Sequence, residues 1–271
     1  MVRPGSACPQ CQTHIAWYDN LPVVSWLLLR GRCRACKGRI SPRYLIVEVL
    51  TGLLFVACHA AFGWSFSTFK YCAFAFLLLG LIFTDAETQL LPDKITLPGI
   101  VLGLLFSLFV PVDDLISHFL PMLVSLGGTS RWLSVADSLA GAAVGASFIY
   151  GVVAIYLRAR GVEGMGFGDV KLMALVGAFL GTKLTMFTIF AGSIVGSLAG
   201  VGMMLSVWVK RTRRRMARNH EAAGVARRRA WYSATVMLRA FPIPFGVFLG
   251  SMAIVAFFFG NQFLRWYRRM L

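Results

Sequence analysis

Two acidic sites in this chain lie where acids are costly. Asp85 falls in Phe83-Thr84-Asp85-Ala86-Glu87-Thr88-Gln89-Leu90-Leu91-Pro92-Asp93, directly after a long apolar run, and Asp169 falls in Gly164-Met165-Gly166-Phe167-Gly168-Asp169-Val170-Lys171, directly before another. A carboxylate at the edge of a hydrocarbon layer is expensive unless it meets a polar cavity or a partner, so its presence there points to function. Two carboxylates brought together cannot both ionise easily and come to share a proton. One can then activate a water while the other protonates a scissile carbonyl, the division of labour of aspartic proteases. Gly164, Gly166 and Gly168 remove the Cβ atoms that would hold a peptide or a neighbouring helix away from Asp169. Pro92 interrupts the other segment, Asp93 reads as the N-cap of the helix that follows, and Glu87 reads as a supporting or solvated acid.

A second cluster carries different chemistry. Cys8-Pro9-Gln10-Cys11 and Cys33-Arg34-Ala35-Cys36 are two C-x-x-C pairs with 21 residues between them. Four soft thiolates suit tetrahedral Zn2+, and turn-forming Pro9 and Gly31 with the cations Arg34, Lys37 and Arg39 favour tight loops and ionised thiols. With all four positions filled by protein, no coordination site is open, so Cys8, Cys11, Cys33 and Cys36 read as a structural zinc site. Two redox pairs are the competing reading, disfavoured on a cytosolic face that keeps thiols reduced. Cys58 and Cys72 sit inside apolar runs and read as packing residues; His14 is not needed as a ligand.

The elements that must position these groups are membrane helices. Of 271 residues, 58% are apolar and 14% charged, with a mean hydropathy of +0.71; an ordinary soluble domain is roughly 45–50% apolar and about 25% charged. The 27 Lys+Arg against 11 Asp+Glu give a net charge of +16. The long apolar runs leave little chain for a basic nucleic-acid domain, so the excess reads as cytoplasmic loops held against anionic lipid. The polar first 20 residues do not form a secretory signal, and the first hydrophobic segments are expected to act as insertion signals themselves. At about 20 residues per crossing, seven spans are expected: Tyr44 to Phe62, Phe66 to Thr84, Ile95 to Val110, Asp137 to Leu157, Lys171 to Thr185, Met186 to Val209, and Pro244 to Phe263. The recurring Gly141, Gly145, Gly192, Gly196 and Gly200 would let the later helices pack closely in one bundle.

The fold class is therefore an all-α polytopic membrane protein with a small N-terminal zinc-binding domain. Residues 1–43 form that domain, and residues 44–271 a transmembrane domain with a basic cytoplasmic loop at 210–239. Lys and Arg concentrate in cytoplasmic loops, which places the cysteine region and the 210–239 connector inside and the acidic Pro111 to Ala136 connector outside. Alternation then puts Asp85 and Asp169 on one cytoplasmic edge, and leaves Arg265, Arg268 and Arg269 as a short basic tail outside. The connector's arginines read as a stretch lying on anionic headgroups.

At these residues the chain resembles the type IV prepilin peptidases, GxGD-type membrane aspartyl proteases. The resemblance rests on the two cysteine pairs and, between them, on Trp17-Tyr18-Asp19-Asn20-Leu21-Pro22 and Ser25-Trp26. Ile40-Ser41-Pro42-Arg43-Tyr44 then leads into Glu48-Val49-Leu50-Thr51-Gly52. Asp85 with Leu91-Pro92-Asp93, Gly166-Phe167-Gly168-Asp169-Val170-Lys171 and Pro242-Ile243-Pro244-Phe245-Gly246 complete the order. The resemblance implies cleavage of the short basic leader of prepilins or type II secretion pseudopilins, after a glycine, at the cytoplasmic side of the bacterial inner membrane, with Asp85 and Asp169 as the catalytic pair. It also implies methylation of the new N-terminal amine with S-adenosyl-L-methionine as donor, an activity the family assigns to the cysteine-bearing region. Glu48, Arg43, Asp19 and Asn20 are the polar residues expected to bind that cofactor, Glu48 above all because it lies inside an apolar span. Members of the family carry a further hydrophobic span before the cysteine region; this sequence is expected to start inside a longer product or to be a shortened member. The competing readings are a non-enzymatic zinc-ribbon membrane adaptor, which gives Asp85 and Asp169 no reason to exist, and a peptidase without methyl transfer.

Overall fold

A computed structural model of the chain describes residues 7–8, 10–21, 23–112, 131–161, 166–219, 222–240 and 244–270. Among these residues the regular elements are helical, joined by two isolated β-bridges and no strand. The chain divides into two compact units, Met1–Leu79 and Gly80–Leu271.

In the first unit the first cysteine turn is followed by a single 3-10 turn Trp17–Asn20 and the short helix α1 (Val24–Leu28), and the second cysteine turn by α2 (Pro42–Phe62) and the opening of α3 (Phe66–Thr88). The side chain of Ser41 caps α2 by accepting from the Arg43 N–H at 3.3 Å, and Pro42 stands at its first turn, where a missing N–H is harmless. Gly63, at φ 60°, ends it. Leu53 and Val56 are 61% and 67% exposed, and the helix has a mean hydropathy of 2.1 over its best window, so its outer face suits lipid rather than water.

The second unit holds the rest of α3 and then α4 (Asp93–Ser107), α5 (Arg131–Arg160), α6 (Phe167–Asn219), α7 (Ala223–Ala240) and α8 (Phe245–Val255). A π turn at Ala256–Gly260 leads from α8 into α9 (Asn261–Met270). Helix α6 is two helices. Gly181 breaks it with φ 77° and ψ −178°, a conformation glycine alone adopts freely. Packing against α5 shows what the break does: a Cβ on Gly145 would lie 2.6 Å from the carbonyl of Met173 and 2.8 Å from Cγ2 of Thr185. In a straight helix those two residues would be about 18 Å apart along the axis. The chain therefore doubles back at Gly181, and α5 packs on both arms. Gly141 makes this possible, since its Cβ would meet the Gly177 carbonyl at 2.5 Å and Gly181 Cα at 2.8 Å; backbones meet where side chains are absent. The Ser138 hydroxyl adds a bond to the Ala178 carbonyl, 2.5 Å.

The expected count of seven spans is not confirmed. Among the described residues five helices are long and apolar enough to cross a membrane: Pro42–Phe62, Phe66–Thr88, Arg131–Ala159, Phe167–Ala217 and Phe245–Tyr267. The expected third span is the 15-residue α4, which stops at Ser107 and turns through Leu108 to Val110; at about 1.5 Å per residue it falls short of a 30 Å core. The expected fifth and sixth spans are the two arms of α6, joined at one glycine rather than by a loop.

The described residues of the 210–239 connector are largely helical, in the end of α6 to Asn219 and in α7 from Ala223. The second arm of α6 runs antiparallel to α8, with Gly192 against Leu249 and Gly196 against Phe245, then continues about 35 Å further to Asn219. Helix α7 returns along it. Ala226, Ala230 and Ala234, four residues apart, are fully buried, and the Arg211 guanidinium donates to the Ser233 carbonyl at 2.8 Å. The result is a basic rod rising from the end of the bundle where α8 begins. Asp113, Asp114, Gly164, Glu221 and Pro242 lie outside the described residues.

Candidate aspartate site and cysteine centre

Asp85 sits one turn before the end of α3, and Asp169 in the first turn of α6; they are only 5% and 7% exposed. The two meet at the start of α8. The backbone N–H of Val247 donates to Asp85 Oδ2 at 2.9 Å. A Cβ on Gly246 would lie 2.8 Å from that oxygen and 3.3 Å from Asp169 Oδ1. Both carboxylates thus close on the backbone of Gly246, where a Cβ would be too near Asp85 to fit without a shift. Two helix N-termini converge on them, α6 through Asp169 in its first turn and α8 through the Val247 N–H, and the positive ends of both helix dipoles favour negative charge there.

The flanking residues divide among several roles. A Cβ on Gly168 would stand 2.9 Å from Leu91 Cβ, so this glycine admits the α3–α4 connection, whereas Gly166 borders open space. Asp93 is not the N-cap of α4. Pro92 holds that position, and Asp93, the first helical residue, pairs with Lys171 at 2.6 Å. Glu87 is exposed. Sequence reasoning missed Gly246 and Val247 as parts of the site, because a backbone N–H has no residue-type signature. The pairing of Pro244 and Gly246 at a helix start was the available signal.

The cysteine centre is a doubled turn. Ala7 and His14 bridge around Cys8 and Cys11, and Arg32 and Arg39 bridge around Cys33 and Cys36. In the first turn Cys8 N–H donates to Thr13 O and Gln12 N–H to Cys8 O; in the second Cys33 N–H donates to Gly38 O and Lys37 N–H to Cys33 O. The residue after each second cysteine, Gln12 and Lys37, takes the left-handed conformation with φ 56° and 60°. All four Sγ atoms lie within 4.8 Å of one another, and Cys8 and Cys36 are 3.9 Å apart. A tetrahedron with 2.3 Å metal–sulfur bonds needs edges of about 3.8 Å, so the cluster can hold a metal ion. A hydrogen bond with Thr13 brings the Cys11 thiol down to about 6 and the Cys36 backbone N–H lowers that of Cys33, while the neighbouring Cys11 thiol pushes Cys36 up to about 11, as expected of like groups crowded together. None of the four is in a disulfide.

The residues expected to bind a methyl donor are differently engaged. Asp19 takes both its oxygens to Arg34, at 2.7 and 2.6 Å, and this guanidinium holds the carboxyl below its ordinary range. Glu48 accepts the N–H of Val23 at 2.7 Å, and Val23 carries a φ of 61°, rare for a β-branched residue. Arg43 gives its backbone N–H to Ser41; the Asn20 side chain lies outside the described residues.

Comparison with known proteins follows these two sites along the chain. Residues 1–62 match the bacterial peptidase A24 N-terminal domain, and residues 72–201 match the type IV leader peptidase family. A prepilin leader peptidase/N-methyltransferase of Aeromonas hydrophila is 34% identical over 267 residues, 98% of this chain and 76% of that protein. The chain belongs to the type IV leader peptidase family. Among other members, the protein of the same description from Pseudomonas aeruginosa is 34% identical over 272 residues, covering 98% of this chain and 76% of its own. One from Neisseria gonorrhoeae is 37% identical over 209 residues, 76% of this chain and 65% of its own. No solved structure matches. The part matched to the leader peptidase family contains both Asp85 and Asp169, and the matched N-terminal domain contains all four cysteines.

Proposed function

We propose that this chain is an aspartyl endopeptidase of the bacterial inner membrane that removes the leader of type IV prepilins or type II secretion pseudopilins, with Asp85 and Asp169 as the catalytic pair. One observation carries the reading: two buried carboxylates, contributed by helices far apart in sequence, close together on the Cβ-less backbone of Gly246. The pair needs one proton and one charge. Asp85 Oδ2 is already an acceptor for the Val247 N–H, which favours Asp85 as the carboxylate that takes a proton from the attacking water. Asp169 then holds the proton given to the scissile carbonyl, and the roles reverse as the amine leaves. The helix dipoles aimed at the pair stabilise negative charge as it develops. Purified full-length chain incubated with a peptide bearing a basic leader, a glycine and an apolar segment should cleave it after the glycine. Intact cleavage in Asp85→Asn or Asp169→Asn would end the assignment.

The cysteine centre, taken as Zn2+, is a closed site in residues 1–43 and holds the two turns together; elemental analysis would return one zinc per chain. The excess of Lys and Arg in residues 1–43 and 210–239 favours the cytoplasmic side for the cysteine region and for the active end of the 44–271 peptidase region. Pilins and lipid, rather than nucleic acid, are the partners this arrangement suits.

The relatives are named N-methyltransferases, and N-methylation of the new N-terminal residue is the second activity proposed here. S-adenosyl-L-methionine would supply the methyl group, with Glu48, Arg43, Asp19 and Asn20 the residues to test. Asp19 is paired with Arg34 through both oxygens and Glu48 accepts the Val23 N–H, so a bound cofactor would share or displace these bonds. Labelled S-adenosyl-L-methionine decides: a cleaved, unlabelled product removes the transferase activity.

A further inference from the structure

The connection from α3 to α4 is only four residues, Gln89 to Pro92, yet it is held at both ends and in the middle. Gln89 closes α3 by donating to the carbonyl of Asp85 itself, 2.9 Å, in the left-handed conformation at φ 53°. Such a backbone in a non-glycine residue persists only where surrounding contacts over-determine it. In the middle, Leu91 seats on Gly168, the residue before Asp169, where any Cβ would be 2.9 Å from it. At the far end the Pro92 carbonyl receives the N–H groups of Ile95 and Thr96, and Asp93 Oδ1 takes the Lys171 ammonium at 2.6 Å.

Lys171 lies two positions after Asp169. Residues so spaced on a helix point about 160° apart. The first turn of α6 is therefore gripped from two sides: Asp169 faces Asp85 and Gly246, and Lys171 faces the connection that starts at Asp85. At the head of α6 the connection is tied by the Asp93–Lys171 pair and the Leu91–Gly168 contact, while α4 meets the rest of that arm further along, where Gly103 packs on Ala178 and Phe179. We infer that the Asp93–Lys171 ion pair is a positioning pair that sets the spacing of the two aspartates, touching neither substrate nor reacting atoms. The pair is half in solvent, with side chains 57% and 29% exposed, so it adds little to stability, while a displacement of an ångström between reacting groups can lower a rate by about a hundredfold. This separation of effects is what distinguishes positioning from a merely structural bond.

The inference rests on the leader peptidase reading, and the experiment separates the two. Lys171→Met, Asp93→Asn and the charge-reversed double Asp93→Lys with Lys171→Asp are made in the full chain in detergent and assayed on the leader peptide. The single variants are expected to lose kcat about ten- to a hundredfold with KM and thermal midpoint unchanged, and the double to recover most of it. Singles with full kcat, or a double no better than they are, overturn the positioning role. A second readout does not need cleavage. Asp85→Cys with Asp169→Cys, in a chain with Cys58 and Cys72 changed to Ser, is bridged by a short bifunctional thiol reagent, and adding Lys171→Met should slow bridging several-fold. If the parent chain cleaves nothing, the peptidase reading falls while the bridging rate still decides the pair; an unchanged bridging rate overturns it.

Discussion

The cysteine centre and the aspartate site solve the same problem, bringing like-charged groups together, by opposite routes. The cysteines are gathered by two copies of one local turn 25 residues apart, each closed by its own backbone hydrogen bonds and its own left-handed residue. The aspartates are gathered by nothing local: Asp85, Asp169 and Val247 come from three helices, and the Asp85–Val247 bond joins residues 162 positions apart. A centre built from local turns tolerates change elsewhere. One built at the meeting of helix ends inherits every error in how those helices pack.

The largest effect that would test this contrast is the loss of an aspartate. Asp85→Asn or Asp169→Asn should lower cleavage by about a thousandfold or more, with the metal content of the N-terminal turns unchanged by elemental analysis. The same site should show a bell-shaped pH–rate curve, since cleavage needs one proton on the pair. Activity falls in acid as both carboxyls are protonated, and falls in base as the shared proton is lost; flattening of both limbs in either variant would follow.

Gly246→Ala should come next, with about a ten- to hundredfold loss of rate, because the methyl would press on Asp85 Oδ2. Alanine is the better helix former by up to about 1 kcal/mol, so the thermal midpoint should hold or rise while activity falls. A variant that loses both would show that glycine serves packing rather than the site. A packing error placed further off is milder: Gly141→Leu would force α5 away from Gly177 and Gly181 and should destabilise the second unit by about 1–3 kcal/mol, read as an earlier unfolding transition with metal retained. The smallest effect on cleavage is expected from the other centre. Cys33→Ser should release the metal and unfold the doubled turn, seen as increased hydrogen exchange over residues 10–40, with leader cleavage changed less than about threefold because the closed centre takes no part in it.

What could be read in the sequence follows the same division. The cysteine pairs are visible because residue type and spacing define them completely. Asp85 and Asp169 are visible because acids beside apolar runs are costly. The position of the reversal at Gly181 could be bounded but not seen, since the apolar run continues through it and only the backbone angle marks the turn. Gly246 and Val247 act through a missing Cβ and a backbone N–H, and Asp93 looked like a cap because an acid at a helix start usually is one; its partner 78 residues away is a product of packing. The helix from Ala223 to Ala240 is marked in the sequence by the Ala226, Ala230, Ala234 spacing, which the density of arginines around it masks.

The reversal at Gly181 bears on how the chain is made. Phe167–Leu180 is an arm of about 21 Å, too short to cross a hydrocarbon core by itself, and it carries Asp169 at its head. A nascent chain emerging residue by residue cannot leave that arm in lipid while it waits. It is expected to enter as a hairpin with the arm that follows, the buried acid delivered to the bilayer together with the helix that doubles back beside it.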